Sequence, residues 1–73
     1  MTSIPSAPLY ERIAADVLRR VAAGELRPGD RLAPVRRAAR DWGVNLNTVA
    51  RAYALLADRG ILETRAGGGT VVA

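Results

Sequence analysis

The chain has 73 residues, 49% of them hydrophobic, and a formal net charge of +4. This length suffices for one domain with a small core, since a chain of this size buries only about 60% of its unfolded surface. The absence of cysteine and histidine excludes disulfides, thiol catalysis, and the commonest general base and metal ligand. The apolar runs are far shorter than the roughly 20 residues of a membrane span, and residues 1–8 do not form a signal peptide. We therefore expect a cytoplasmic protein without catalytic residues, metal, cofactor or membrane partner.

The positive charge is concentrated in one stretch of the chain. Residues 1–30 and residues 52–73 each contain equal numbers of arginines and acids, whereas residues 31–51 have only Asp41 to oppose their arginines. The arginines of this stretch are Arg31, Arg36, Arg37, Arg40 and Arg51. A solvated basic face and an anion-binding surface both account for such a pattern, so charge alone leaves both interpretations open.

The hydrophobic periodicity predicts three helices after a flexible arm over residues 1–7, with residues 8–73 forming the domain. The first helix begins at Pro8, a favourable first helical position, and ends at Gly24 in a left-handed cap. Its predicted buried face comprises Tyr10, Ile13, Ala14, Val17, Leu18 and Val21. The Pro28-Gly29 pair that follows predicts a type II turn flanked by two core leucines, Leu26 and Leu32.

The second predicted helix begins near Pro34 and ends at Gly43, and Asn45 is a favourable N-cap for a third helix over about 46–59. The second helix is expected to bury Val35, Ala38, Ala39 and Trp42. The third is expected to bury Val49, Ala52, Tyr53 and Leu56 before Gly60 ends it. Residues 61–65 and 70–72 then predict a hairpin with a glycine-rich tip. The expected fold is mainly α with a small β-hairpin, a three-helix winged helix-turn-helix.

The second and third helices have the spacing of a helix-turn-helix. Ala39 allows the helices to cross closely, Gly43 takes a positive φ at the turn, and Val49 anchors the third helix on the second. A helical hairpin packed only for stability fits this spacing equally well. The hairpin that follows, and the basic charge on these same residues, favour DNA binding.

Residues 8–73 as a whole resemble the GntR family of bacterial transcription regulators. The matching segments are PLYERIAADVLRRVAAGELRPGDRL and PVRRAARDWGVNLNTVARAYALLADRGILETRAGGGTVV, and NTVARAYALL is most similar to the YtrA-like branch. The resemblance implies sequence-specific binding of double-stranded DNA at two-fold operators. It places the third helix, about 46–59, in the major groove and the wing, residues 65–70, at the backbone or in the minor groove.

The resemblance also implies candidate DNA contacts, residue by residue: Arg36, Asn45, Leu46, Asn47, Thr48, Arg51, Arg65 and Gly67. Arg51 lies three and four residues after Thr48 and Asn47, so the three side chains share one helix face. Asn45 as a cap alone, and Thr48 as a phosphate contact alone, remain open alternatives. Solvation is as consistent with the pattern as DNA contact for Arg31, Arg37 and Arg40.

Three positions depart from the family pattern. Ala33-Pro34 replaces Pro-Ser and removes a hydroxyl cap from the second helix. Leu46 replaces a frequent Arg or Pro, which puts the usual operator preference in doubt, although Leu46 is placed to touch a thymine methyl. Gly68 stands where the wing often carries a basic residue. The last two departures reduce the number of polar contacts.

Two other classes of function compete with DNA binding. In the first, the basic face of a winged helix docks an acidic protein, but Asn47, Thr48 and Arg51 suit base edges and phosphates better. In the second, residues 66–70 form an enzymatic phosphate cradle. We reject it, because no lysine is present and a strand rather than a helix follows.

Family members carry a C-terminal effector-binding or dimer-forming part, whereas this sequence stops directly after the wing. An excised domain and a minimal regulator are both compatible with this, and no effector ligand is expected in this segment. Without an apolar strip able to bury the roughly 800 Å² per partner of a stable interface, the free domain is expected to be monomeric. Self-association is then expected mainly on DNA.

Overall fold

The computed structural model describes residues 8–73 and shows three helices followed by a two-stranded hairpin. The elements are α1 (Leu9–Ala22), α2 (Val35–Trp42), α3 (Leu46–Asp58), β1 (Leu62–Arg65) and β2 (Gly69–Val72). The strands pair antiparallel, with Leu62 opposite Val72 and Arg65 opposite Gly69. The predicted fold class is confirmed, whereas the predicted flexible arm, residues 1–7, lies outside the described residues.

The turn between α2 and α3 forms as the glycine pattern predicts. Gly43 follows α2 with φ of 69°, a left-handed conformation that glycine adopts without the steric penalty of a Cβ. The amide N–H of Val44 donates to the Ala39 carbonyl at 2.9 Å and satisfies one of the last helical acceptors. This tight turn sets the angle at which α3 leaves α2.

The loop between α1 and α2 contributes more than the predicted turn. The Asp30 amide donates to the Arg27 carbonyl at 2.9 Å around Pro28-Gly29, as expected of a type II turn. The same loop then pairs with the outer edge of β2, where the Leu32 amide donates to the Thr70 carbonyl at 2.8 Å. This pairing was not predicted, because backbone hydrogen bonds leave no trace in a side-chain pattern. It supports β2 on both edges.

The core lies where α1, α2, β1 and β2 meet around α3. Val49 and Ala52 are completely buried on α3, and α3 contacts α1, α2 and β1. The other core residues are Ile13, Ala14, Val17, Leu26, Leu32, Ala38, Ala39, Tyr53, Leu56, Leu62 and Val72. Tyr53 also donates its hydroxyl to the Ala33 carbonyl at 2.7 Å, which fixes the segment before α2 to α3.

Two residues that were expected in the core are exposed instead. Leu18 and Trp42 each keep 43% of their surface accessible. Leu18 follows the buried Val17 and is turned about 100° away from it on the helix, so that it lies at the edge of an open groove between α1 and α3. Trp42 is on the expected face, since it lines a recess with Ile13 and Tyr53, but as the last residue of α2 it is only partly covered. Tyr10, Val21 and Val35 pack against the core but are only partly buried.

Candidate nucleic-acid interface

The first turn of α3 is shaped by Asn45. Its backbone is extended, and its Oδ1 accepts a hydrogen bond from the Asn47 amide at 2.7 Å, as an N-cap does. The Thr48 amide donates to the Asn45 carbonyl at 3.0 Å and closes the turn. The predicted cap is therefore confirmed. Because the cap uses the side-chain oxygen, the Asn45 amide nitrogen keeps its two N–H donors for another partner.

The next polar side chains of α3 share one surface, as the spacing predicts. Asn47, Thr48 and Arg51 line a recess of about 190 Å³ together with Leu9 and Tyr10 from the start of α1. Asn47 and Arg51 are exposed, and Thr48 is partly buried. Amide, hydroxyl and guanidinium groups on one exposed helix face are the groups that bind base edges and phosphates.

One contact at this surface was not predicted from the sequence. The Arg51 guanidinium carbon lies over the Tyr10 ring, 4.2 Å from its centroid. Tyr10 was assigned to the buried face of α1, but it is only partly buried. The sequence could show only which face of α1 carries Tyr10. Whether Arg51 reaches the ring depends on the angle at which α1 crosses α3.

Leu46 at the start of α3 and the exposed arginines of α2 lie on either side of the turn between the two helices. Leu46, the first residue of α3, is 39% exposed, which leaves its side chain accessible. α2 begins after Pro34 without a side-chain cap, as the missing hydroxyl predicts. Arg36 is exposed in the first turn of α2. Arg37, also exposed, lies 3.9 Å from Asp41, which is a loose surface pair.

The wing is a short turn between β1 and β2. The Gly68 amide donates to the Arg65 carbonyl at 3.0 Å, and Gly67 has a φ of 74° at the tip. The side chain of Arg65 turns back along β1, where its Nε donates to Glu63 at 2.8 Å. The predicted wing contacts thus lie on the hairpin, but Arg65 already has a carboxylate partner.

The buried residues in the part of the chain that the structure describes include no charged side chain, so the charged groups there lie at or near the surface. Burial raises the pKa of the Tyr53 hydroxyl, while the positive charge of Arg20 acts in the opposite direction. Residues 8–73 contain no helix of the length and hydropathy needed to cross a membrane. They also contain no group of three side chains with metal-binding potential.

Taken together, a helix-turn-helix with an exposed polar face and an adjoining hairpin defines a winged helix-turn-helix DNA-binding domain. Comparison with protein families agrees with this class: the model of bacterial regulatory proteins of the gntR family matches residues 9–72. The chain belongs to this family. The predicted resemblance is therefore confirmed.

Known relatives are transcription regulators. The chain is 44% identical over 68 residues to the uncharacterized HTH-type transcriptional regulator YhcF of Bacillus subtilis, covering 93% of the chain and 56% of YhcF. It is 40% identical over 67 residues to the HTH-type transcriptional repressor YtrA of the same species, covering 92% of the chain and 52% of YtrA. The chain thus corresponds to about half the length of these relatives.

Solved structures share the fold. YtrA from Sulfolobus acidocaldarius, a GntR-family transcription factor, has a TM-score of 0.87 and 37% identity, covering 99% of this chain and 62% of that one. The DNA-binding domain of AraR in complex with the operator ORR3 has a TM-score of 0.91 and 25% identity, covering 100% of this chain and 88% of that one. The chain is a DNA-binding domain of a transcription regulator, and the expectation that it is not an enzyme agrees with the family.

Proposed function

We propose that the N-terminal half of α3 enters the major groove of double-stranded DNA and reads its sequence. The observation that carries this proposal is the shared exposed surface of Asn47, Thr48 and Arg51. An α-helix fits the major groove, where each base pair presents a different set of donors and acceptors. The AraR complex is a structural neighbour with the same fold on operator DNA.

Each side chain on this surface suits a particular part of the duplex. Arg51 carries the bidentate fork that fits the N7 and O6 acceptors of guanine, and Asn47 carries an amide that fits adenine. Leu46 offers methyl groups to a thymine methyl. Thr48 is suited to a base edge or a phosphate, and the free amide nitrogen of Asn45 to a phosphate.

Contacts outside α3 position the domain rather than read bases. Arg36 is exposed in the first turn of α2, and we assign it a phosphate. The wing, residues 65–70, lies along the backbone or in the minor groove, with Arg65 supplying charge and Gly67 allowing the tip to approach closely. Such contacts set register and affinity without carrying sequence information.

Selection of duplexes from a randomised library by the purified 73-residue chain tests the proposal. A defined motif should emerge, and the domain should bind it more tightly than the same duplex with a scrambled sequence. Recovery of unrelated sequences bound with equal affinity would contradict reading by α3. Binding to neither pool would contradict the functional assignment altogether.

The assignment of Arg36 to a phosphate is tested by the salt dependence of binding. Each phosphate contact contributes about 0.9 to the slope of log affinity against log salt. We expect Arg36→Gln to lower this slope by about one unit and to leave base preference unchanged. Arg59→Gln is the matched control, since Arg59 is exposed at the far end of α3. Equal slopes for Arg36→Gln and the wild type would remove Arg36 from the contacts.

We further propose that two copies bind a two-fold operator and associate mainly on DNA. The exposed large hydrophobic residues do not form one strip. Leu9 and Leu18 lie about half a turn apart around α1, while Trp42 ends α2 and Leu46 begins α3. Half-sites on one face of the duplex lie about 34 Å, or a multiple of that, apart.

Sedimentation velocity of the free chain at micromolar concentration tests this proposal, and we expect it to show a monomer. On a duplex with two half-sites, the second copy should bind more tightly than on a duplex in which an extra half-turn separates them. A stable free dimer would contradict the proposal. The candidate dimer interface would then be the groove of about 320 Å³ between α1 and α3, which is lined in part by Ala15, Leu18, Leu55 and Ile61.

For the regulator that contains this domain, we propose repression of transcription at the bacterial nucleoid. YtrA of Bacillus subtilis is named a repressor, and a domain bound across a promoter excludes polymerase by occupying the same DNA. A reporter with the selected motif overlapping the promoter should lose expression when the protein is produced. Unchanged or increased expression would contradict repression.

A further inference from the structure

The start of α1 and the second turn of α3 are joined by the stack of Arg51 on Tyr10. The guanidinium carbon lies 4.2 Å from the ring centroid. Arg51 is exposed, whereas the Tyr10 ring is held partly within the molecule and packs against the core. The ring is therefore the anchored partner, and the long arginine side chain is the one whose freedom the contact restricts.

The kind of contact matters because of the geometry of a guanidinium group. Its five N–H donors point outward in one plane, so an aromatic ring against its face blocks none of them. Arg65 in the wing is held differently, since its Nε donates to Glu63 at 2.8 Å. Arg51 donates none of the side-chain hydrogen bonds found among residues 8–73, so the ring restricts it without taking up a donor there, whereas the ion pair uses one donor of Arg65.

The contact between Arg51 and Tyr10 lies beside the proposed DNA surface. Tyr10 and Arg51 line the same recess as Asn47 and Thr48, and Leu9 forms another part of its wall. Asn47 and Thr48 precede Arg51 by one helical turn, so the guanidinium is held at the edge of the polar face of α3. An arginine in this position forms a bidentate contact without first being ordered.

We propose that Tyr10 is a positioning residue for base recognition: its ring orients Arg51, so that an aromatic side chain of α1 sets the discrimination achieved by α3. The proposal rests on the proposed function, in which Arg51 reads a base. Tyr10 acts through Arg51 and need not touch the DNA. Exposed stacks of this kind are weak, and their strength of about 0.5–1 kcal/mol corresponds to a factor of about two to five in binding.

Three variants of the complete 73-residue chain test the role of the ring. Tyr10→Leu removes the aromatic face, Tyr10→Phe retains it, and Leu9→Ala changes the neighbouring wall of the same recess. Circular dichroism and thermal melting establish that each variant is folded. In the free domain, nuclear magnetic resonance measures the upfield ring-current shift of the Arg51 side-chain protons. Binding assays then measure the affinity of each variant for the duplex that the wild type selects and for the single base-pair changes of that duplex.

We expect the upfield shift in the wild type, Tyr10→Phe and Leu9→Ala, and its loss in Tyr10→Leu. Tyr10→Leu should also lower discrimination about two- to fivefold at the base pair where Arg51→Ala lowers it, with the salt slope unchanged. The positioning role would be overturned if Tyr10→Leu kept the wild-type ratio of affinities for the selected duplex and its single base-pair changes. It would also be overturned if the wild type showed no ring-current shift. If Arg51→Ala itself leaves every ratio unchanged, the proposed reading by Arg51 fails and the role of Tyr10 fails with it.

Discussion

The third helix and the wing each carry an arginine that we propose contacts DNA, and the two arginines are held in different ways. Arg51 of α3 is stacked on Tyr10, on a helix whose other face is fully buried by Val49 and Ala52. Arg65 of the wing is paired with Glu63 on an exposed hairpin with a glycine tip. The helix arginine therefore contacts a ring and forms no ion pair among residues 8–73, whereas the wing arginine, at the end of β1, is paired with a carboxylate that screens its charge.

This difference favours base discrimination by Arg51 and phosphate contact by Arg65. Base discrimination requires donors held in a fixed geometry, because a misplaced bidentate contact loses both hydrogen bonds. Phosphate contact requires only positive charge near the backbone. We therefore expect the buried face of α3 to support base discrimination, and the wing to tolerate changes in its sequence provided that its tip can form.

The largest effect should come from removing the support of α3 inside the core. Leu56 is 2% exposed, and Leu56→Ala should cost about 2–5 kcal/mol of unfolding free energy, most of the stability of so small a domain. Leu18→Ala is the matched control, because Leu18 lies on α1 with 43% of its surface exposed and should lose far less. Urea denaturation measures both, and similar losses would contradict the burial that distinguishes the two leucines.

A change at the tip should disturb the wing and leave the helix intact. Gly67 has a φ of 74°, so Gly67→Ala should cost about 1–2 kcal/mol. Gly68 lacks a positive φ, and a Cβ there would lie 3.3 Å from the Arg65 Cβ, which requires a small adjustment only. We expect Gly68→Ala to be less destabilising in thermal melting. The reverse order would show that the tip adopts another conformation.

The hydrogen bond of Tyr53 tests how firmly α3 is held on its core side. Tyr53→Phe leaves the Ala33 carbonyl without its 2.7 Å partner and should cost about 1 kcal/mol at neutral pH. Equal stability of the two proteins in urea would show that this bond contributes nothing. Base discrimination should be retained, because the helix itself remains packed.

The same residue predicts a pH dependence at the alkaline end. Burial raises the pKa of Tyr53 in the folded protein, above the value of about 10 for an unfolded tyrosine. The resulting stabilisation is present in full below the unfolded pKa, and it is lost as the pH rises through the folded pKa. Wild type should therefore lose stability above about pH 10 by more than Tyr53→Phe. Parallel pH profiles would contradict this effect of burial.

The smallest expected effect concerns the ion pair of the wing. Glu63→Gln removes the carboxylate beside Arg65, a pair exposed on both sides and worth about 0.2–1 kcal/mol. Because a negative charge near the backbone is also removed, affinity for DNA should rise a few-fold at low salt, equally for all sequences. Asp58→Gln, at the far end of α3, is the control for a general change in charge. A rise confined to one sequence would mean that the wing reads bases.

The fold was predictable from sequence because its signals are local. Helical spacing placed Val49, Ala52 and Leu56 in the core, and Gly43 marked the turn through its need for a positive φ. Trp42 and Leu18 were assigned wrongly, since helical spacing gives the direction of a side chain but not how far the neighbouring element extends. A long-range contact such as Arg51 on Tyr10 depends on how α1 packs on α3, which no local pattern contains.

The roles proposed for Arg51 and Arg65 require that the helix reads bases while the wing contributes charge. The direct test compares Arg51→Ala with Arg65→Ala, two losses of one positive charge, by affinity for the selected duplex and for each of its single base-pair changes. Arg51→Ala should abolish discrimination of about 1–3 kcal/mol at one position in each half-site. Arg65→Ala should weaken binding to every duplex by the same factor. Uniform weakening by both variants, or loss of discrimination with Arg65→Ala, would contradict the account.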